Sequence, residues 1–174
     1  MTDTVDSAAR WLAPLLPGIP GVTELDARRM NSFERALGDL VSAYPIGPSV
    51  EPQLRSQRLA RIRRELALGG HLGLAVPARD GGCGRPAATQ ALMQFICGYH
   101  DADLRDATGL GHGRLIALHG TAPVQEQWLP RLIAGEVAGI AITELNGGSQ
   151  VHAITTVATA RHDGTWTLTG TKSW

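Results

Sequence analysis

Near residue 136 the apolar residues of this sequence stop recurring every three to four positions and begin to alternate. Helices return a side chain to the same face with a period of 3.6 and strands with a period of 2, so no single element carries both patterns. The chain is therefore predicted to be α+β. An N-terminal all-α helical domain occupies residues 1–136, and 137–174 hold the first strands of an antiparallel β domain. At 174 residues the chain is long enough for one well-filled core and the beginning of a second.

Within the helical part, residues 6–16 suggest a short helix stopped by Pro17-Gly18-Ile19-Pro20-Gly21. Phe33, Leu37, Leu40, Val41 and Tyr44 share one face of a longer helix, which Pro45, Gly47 and Pro48 end. Leu59, Ile62 and Leu66 mark a third, closed by Gly69-Gly70. After the glycine-rich loop Pro77–Gly84, a helix opening at Pro86 is expected to bury Leu92, Phe95, Ile96 and Tyr99. A further helix is expected over roughly 103–119, and another from an N-cap at Thr121 through Trp128, interrupted at Leu129-Pro130. Phe33, Leu37, Leu66, Leu92, Phe95 and Trp128 are the expected core anchors.

Beyond residue 136, strands are predicted at Val137–Thr143, Ile154–Arg161 and Thr165–Thr169, the last two joined by a hairpin at Asp163-Gly164. Three such strands leave unpaired edges and an uncovered face, as expected of a β domain cut short.

Several function classes lose support from composition. Sixteen basic residues balance sixteen acidic ones, so no charge surplus favours nucleic acid. No apolar run approaches the ~20 residues that cross a membrane, and the first residues lack the basic start and apolar stretch of a secretory leader. Cys83 and Cys97 lack metal or redox spacing and are expected to be free thiols in a cytoplasmic protein. Gly109-Leu110-Gly111-His112-Gly113 follows no strand and lacks a phosphate-binding Lys, so a nucleotide loop is not expected there. His112 and His119 are expected on one helix face, but no convergent Cys or carboxylate set accompanies them, and no metal site is expected. No strand–Gly-x-Ser-x-Gly–helix context supports a nucleophilic serine.

The chemically informative stretch is Ile140-Ala141-Ile142-Thr143-Glu144-Leu145-Asn146-Gly147-Gly148-Ser149-Gln150. It reads as a strand running into a small-residue loop, where main chain comes close to a ligand and Thr143 and Ser149 offer hydroxyls. It resembles the acyl-CoA dehydrogenase signature Thr-Glu-Pro-Gly-x-Gly-Ser-Asp. Gly170-Thr171-Lys172-Ser173-Trp174 is similar to the start of that family's Gly-x-Lys-x-Trp-Ile-Thr. Upstream, Leu72-Gly73-Leu74-Ala75-Val76-Pro77 with Gly81-Gly82-Cys83-Gly84 resembles its Leu-Gly-Leu-x-x-Pro…Gly-Gly-x-Gly loop. Gln125-Glu126-Gln127-Trp128-Leu129-Pro130 with Gly135-Glu136 resembles its Gln-x-x-x-(Trp/Tyr)-Leu-Pro…Gly-Glu stretch. The four matches occur in family order over roughly residues 60–174.

The resemblance implies a helical domain, a β-rich middle domain and a helical C-terminal domain, with FAD between the last two. It implies that Ile140, Ile142, Thr143, Ser149 and Trp174 line the cofactor and that Ser149 also reaches the thioester ligand. It further implies an acyl-CoA or acyl-carrier-protein substrate, an electron-accepting flavoprotein partner and a homo-oligomer. Leu145 stands where the family has Pro and Gln150 where it has Asp, which predicts a looser loop. No catalytic residue is expected in this chain. The family's base belongs to the C-terminal domain, and neither Glu136 nor Glu144 is assigned that role. The 174-residue chain is therefore expected to bind FAD weakly or not at all and to be inactive alone. A natural remnant or split subunit acting as an interaction domain is the alternative, and a helical binding module unrelated to flavin ranks below both.

Overall fold

The computed structural model describes residues 8–107, 109, 111–146 and 148–173. The chain divides into two compact units, Met1–Ala138 and Gly139–Trp174. Helices dominate the first, and the second carries one small antiparallel sheet, so the fold is α+β.

The first unit runs α1 (Ala8–Leu12), a 3-10 turn (Ala13–Gly18), α2 (Glu24–Ala43), α3 (Pro52–Leu68), a second 3-10 turn (Ala78–Asp80), α4 (Ala87–His100), α5 (Leu104–Ala107), α6 (Arg114–His119) and α7 (Ala122–Ile133). Local chemistry sets its helix starts. Thr23 and Asp26 form a capping box at α2, with the Thr23 N–H donating to Asp26 Oδ2 at 2.9 Å. Glu51 caps α3 by accepting from the Gln53 and Leu54 N–H groups at 3.0 and 2.9 Å, ahead of Pro52, whose missing N–H costs nothing at that position. At the end of α3, Gly70 adopts φ 71° while the His71 N–H returns to the Leu66 carbonyl at 2.9 Å.

The main core gathers Met30, Phe33 and Leu37 of α2, Ile62 and Leu66 of α3, and Met93, Ile96 and Cys97 of α4, closed by Leu72, Leu74 and Leu104. Val76, Ala117 and Leu129 form a smaller cluster under α6 and α7. Phe33, Leu37 and Leu66 are buried as expected from the apolar spacing, but three expected anchors are not. Leu92 is only half-buried, Phe95 is 51% exposed, and Trp128 lies at the surface with the Arg131 guanidinium 4.3 Å over its ring. The buried face of α4 is instead Thr89, Gln90, Met93, Ile96 and Cys97. Counting only apolar residues turns this helix away from its true face, because two of its buried residues are polar and satisfied. Thr89 Oγ1 donates to Asp26 Oδ1 at 3.1 Å, and Gln90 Nε2 donates to the Arg85 carbonyl at 3.2 Å.

The helix expected over 103–119 is two, α5 and α6. Gly109 at φ 69° and Gly113 at φ 87° adopt the left-handed conformation and break it, so His112 lies ahead of α6 and shares no helix face with His119. Conversely, α7 does not stop at Leu129-Pro130 but continues to Ile133. Pro130 and Glu126 both sit on the exposed side, where the Glu126 carbonyl left without the proline N–H need not be buried. Thr121 is the N-cap residue of α7, but its side chain makes no capping bond. Gln125 joins α6 to α7 by donating from Nε2 to the carbonyls of Ile116, Ala117 and Gly120 at 3.3, 3.1 and 3.0 Å, occupying the open end of α6.

In the second unit a 3-10 turn (Val151–Ala153) precedes β1 (Val157–Ala160), which pairs antiparallel with β2 (Trp166–Thr169). Val157 faces Thr169 and Ala160 faces Trp166. The hairpin turn holds Gly164 at φ 79°, its N–H donating to the Arg161 carbonyl at 3.2 Å, and the Arg161 N–H closes on the Thr165 carbonyl at 2.8 Å. The strand expected at Val137–Thr143 is not formed, and the one at Ile154–Arg161 shortens to four residues. Alternation is necessary for a strand but not sufficient: a ladder needs a continuous partner. Among the described residues the sheet contains only β1 and β2, while the backbone of 137–143 meets 170–173 only where the Ser173 N–H reaches the Thr143 carbonyl.

Candidate functional site

The stretch singled out in the sequence lies in the second unit and is organised around Glu144. Though Ile142 and Leu145 on either side are exposed, Glu144 is 6% exposed. Its Oε2 accepts from the Thr155 N–H at 2.8 Å and from Thr155 Oγ1 at 2.6 Å. Its Oε1 accepts from the Thr156 N–H at 2.9 Å, from Thr156 Oγ1 at 2.5 Å and from Lys172 Nζ at 2.8 Å. The ammonium of Lys172, then the hydroxyls of Thr155 and Thr156, hold this carboxyl well below the usual carboxylate range.

Lys172 has a second partner, the Ile142 carbonyl at 3.0 Å, and the Ser173 N–H donates to the Thr143 carbonyl at 3.0 Å. The Thr143–Ser149 segment and the Gly170–Ser173 segment, more than twenty residues apart in sequence, are thus bound together. Glycine is required at Gly170 and closely packed at Gly148. A Cβ on Gly148 would sit 2.9 Å from Thr143 Oγ1, and one on Gly170, at φ 152°, would sit 2.4 Å from Thr156 Oγ1.

Around this anchor the sequence-derived site residues divide. Ile140 is 70% exposed and Ile142 47% exposed, Thr143 is half-buried beside Gly148, and Ser149 is exposed. Trp174 lies outside the described residues. Leu145, at the position of the family proline, is 84% exposed. Thr155 and Thr156 were not singled out from sequence. The only signal was two adjacent hydroxyl residues just before a strand, a pattern with many uses.

Glu136 belongs to the first unit and is paired with Arg131, Nε to Oε1 at 2.8 Å, at the surface. His112 is half-buried there, and its Nδ1 accepts from the Ala138 N–H at 3.3 Å; burial lowers its proton affinity. The glycine-rich loop folds tightly on itself. The N–H groups of Cys83, Gly84 and Arg85 donate to the carbonyls of Gly73, Val76 and Leu74 at 3.0, 2.7 and 2.8 Å, and a Cβ on Gly82 would strike the Val76 carbonyl oxygen at 2.2 Å. These glycines serve close packing of the loop.

Comparison with known proteins finds a match to the acyl-CoA dehydrogenase N-terminal domain over residues 48–136. The human mitochondrial very long-chain specific acyl-CoA dehydrogenase is 36% identical over 110 residues, 60% of this chain and 17% of that protein. Acyl-CoA dehydrogenase FadE12 of Mycobacterium tuberculosis is 28% identical over 152 residues, 85% of this chain and 39% of its own. The (2S)-methylsuccinyl-CoA dehydrogenase of Cereibacter sphaeroides is 26% identical over 160 residues, 90% of this chain and 28% of its own. The chain thus spans less than half the length of these curated relatives.

Proposed function

Because the chain belongs to the acyl-CoA dehydrogenase family, we propose that it forms part of an FAD-dependent acyl-thioester dehydrogenase, contributing residues 1–136 as the helical domain and 137–174 as the start of the β domain. One observation carries the flavin side of this reading: the Glu144-anchored joining of Thr143–Ser149 to Gly170–Ser173. It leaves Ile140 and Ile142 as an exposed apolar edge beside the Thr143 hydroxyl, against which Gly148 packs closely. A flat ring with polar edges suits such a surface, so FAD fits the residues present. Ile140 and Ile142 would exclude water from it, and the Thr143 and Ser149 hydroxyls would meet its polar edge, Ser149 also reaching the thioester. Trp174 is assigned to the same surface on the family pattern. FAD, when bound, supplies the acceptor for the hydride leaving the acyl β carbon.

Removal of the α proton needs a free carboxylate on the opposite face of the acyl group. Glu144 is saturated by donors and Glu136 is paired at the surface, so no base is assigned among these residues. The proposed substrate is an acyl group on CoA or a carrier protein, the partners an electron-accepting flavoprotein and further copies of the enzyme subunit. No helix of the described residues is long and apolar enough to cross a membrane. A cytoplasmic setting is proposed, in keeping with Cys83 and Cys97 forming no disulfide.

Flavin fluorescence during FAD titration of the 174-residue chain tests the one-sided site. A few contacts support only weak binding, because they do not offset the freedom lost by a large flexible ligand. A tight one-to-one complex would refute it. Acyl-CoA oxidation by this chain with an artificial electron acceptor is expected to be absent. Turnover would mean that a base among these residues has been missed.

A further inference from the structure

Glu144 carries the most heavily hydrogen-bonded side chain of the second unit, and the flavin reading gives it no direct contact with a ligand. Five donors converge on its two oxygens, whereas an ionised carboxylate has about four lone-pair sites. Such a group has no capacity left for a substrate proton. We infer that Glu144 is a positioning residue: with Lys172, it sets the placement of Ile142 and Thr143 on which the flavin-facing surface depends. This rests on the reading of Ile140–Ser149 as that surface.

The chain of contacts is short and continuous. Thr155 and Thr156 fix the carboxylate from the approach to β1, and the carboxylate fixes the Lys172 ammonium. Lys172 then holds the Ile142 carbonyl, while its neighbour Ser173 holds the Thr143 carbonyl. Gly170 lets the end of β2 come against Thr156, an approach that any side chain would block. The residue types of two separate sequence signatures, Thr-Glu in one and Gly-x-Lys in the other, thus have one physical cause. The hub needs a charge on each side. A neutral amide in place of Glu144 has a single acceptor oxygen and would turn its N–H groups toward the donors of Thr155, Thr156 or Lys172.

The test uses the full 174-residue chain with Glu144→Gln, Lys172→Met and Lys172→Arg. Thermolysin cleavage ahead of Leu145 and Val151 reports how tightly the loop is held, and far-ultraviolet circular dichroism reports the helices. Glu144→Gln and Lys172→Met are expected to speed cleavage about tenfold with the helical signal unchanged, since a lost charge-assisted bond raises the open population by that order. Lys172→Arg, which keeps the cation, is expected to restore protection. Equal cleavage of all four proteins overturns the inference.

The second readout is the change in the Thr143 and Ser149 amide resonances on adding millimolar FAD, for which weak binding suffices. Support is a shift in the unsubstituted chain and in Lys172→Arg that is lost in Glu144→Gln and Lys172→Met. Equal shifts in every protein would leave the flavin surface standing and remove Glu144 from its positioning. No shift in any protein, with the cleavage differences intact, would overturn the positioning inference and reduce the hub to a loop clamp, while agreeing with a chain too incomplete to bind FAD.

Discussion

Asp26 is fully buried, yet it is ionised. Burial alone would raise its pKa, but hydrogen bonds from Arg85, Thr23 and Thr89 outweigh that and lower it from 3.8 to about 2. The folded pKa lies below the unfolded one. Asp26 therefore contributes stability above pH about 4, and that contribution disappears as pH falls toward about 2. Urea midpoints for the unsubstituted chain and Asp26→Asn should differ most at pH 5 and converge over this interval; a constant gap would contradict the assignment. Phe33 and Phe95 make a second contrast between residues of one type. Phe33 is fully buried and edge-on to His71, 5.8 Å between ring centres, so Phe33→Ala should cost about 3–5 kcal/mol. Phe95→Ala, at a half-exposed position, should cost less than about 1 kcal/mol. Chemical denaturation of the two variants checks both, and equal losses would mean the α4 face is misassigned.

At the scale of elements, α7 carries an interior proline that sequence rules read as a stop. A proline inside a helix forfeits about 3 kcal/mol relative to alanine, while its stiffness in the unfolded chain returns about 1 kcal/mol. Pro130→Ala, on the exposed side of α7, should therefore raise stability by about 1–2 kcal/mol, read as a higher urea midpoint. A loss of stability would show that the ring packs more usefully than its exposure suggests. α6 shows the converse dependence. Its six residues are too few to persist alone, and it relies on Gln125 of the next helix to occupy its terminal carbonyls.

At the scale of the whole molecule the two units have unequal means of stability. The first has a main core drawn from α1 to α5 and a second cluster beneath α6 and α7. The second has a two-stranded hairpin whose Val157, Trp166 and Leu168 are exposed, and its order rests largely on polar contacts around Glu144. Amide hydrogen exchange should accordingly be slower in 60–130 than in 140–174, and the reverse order would overturn this ranking. Deleting 137–174 should leave helical ellipticity intact and improve solubility by removing an exposed sheet edge. Loss of the helices on deletion would make the second unit part of the first unit's core.

The long helices α2 and α3, their buried anchors Phe33, Leu37, Ile62 and Leu66, and the hairpin at Asp163-Gly164 were legible from residue order alone. Each rests on interactions among residues a few positions apart: apolar spacing, a capping box, a turn glycine. The family was legible too, because its signatures are short and retain their order along the chain. What escaped the sequence depends on contacts distant in it. The face of α4 is set by a buried carboxylate sixty-three residues before Thr89. The stretch 137–143 alternates like a strand, but a ladder requires a partner that no local pattern announces. Glu144 looked like one residue of a loop, and only the folded chain brings Thr155, Thr156 and Lys172 onto its carboxylate. Periodicity reports which side chains avoid water, whereas the choice of partner for a buried polar group is made in three dimensions, where leaving it unpaired would cost more than any local preference supplies.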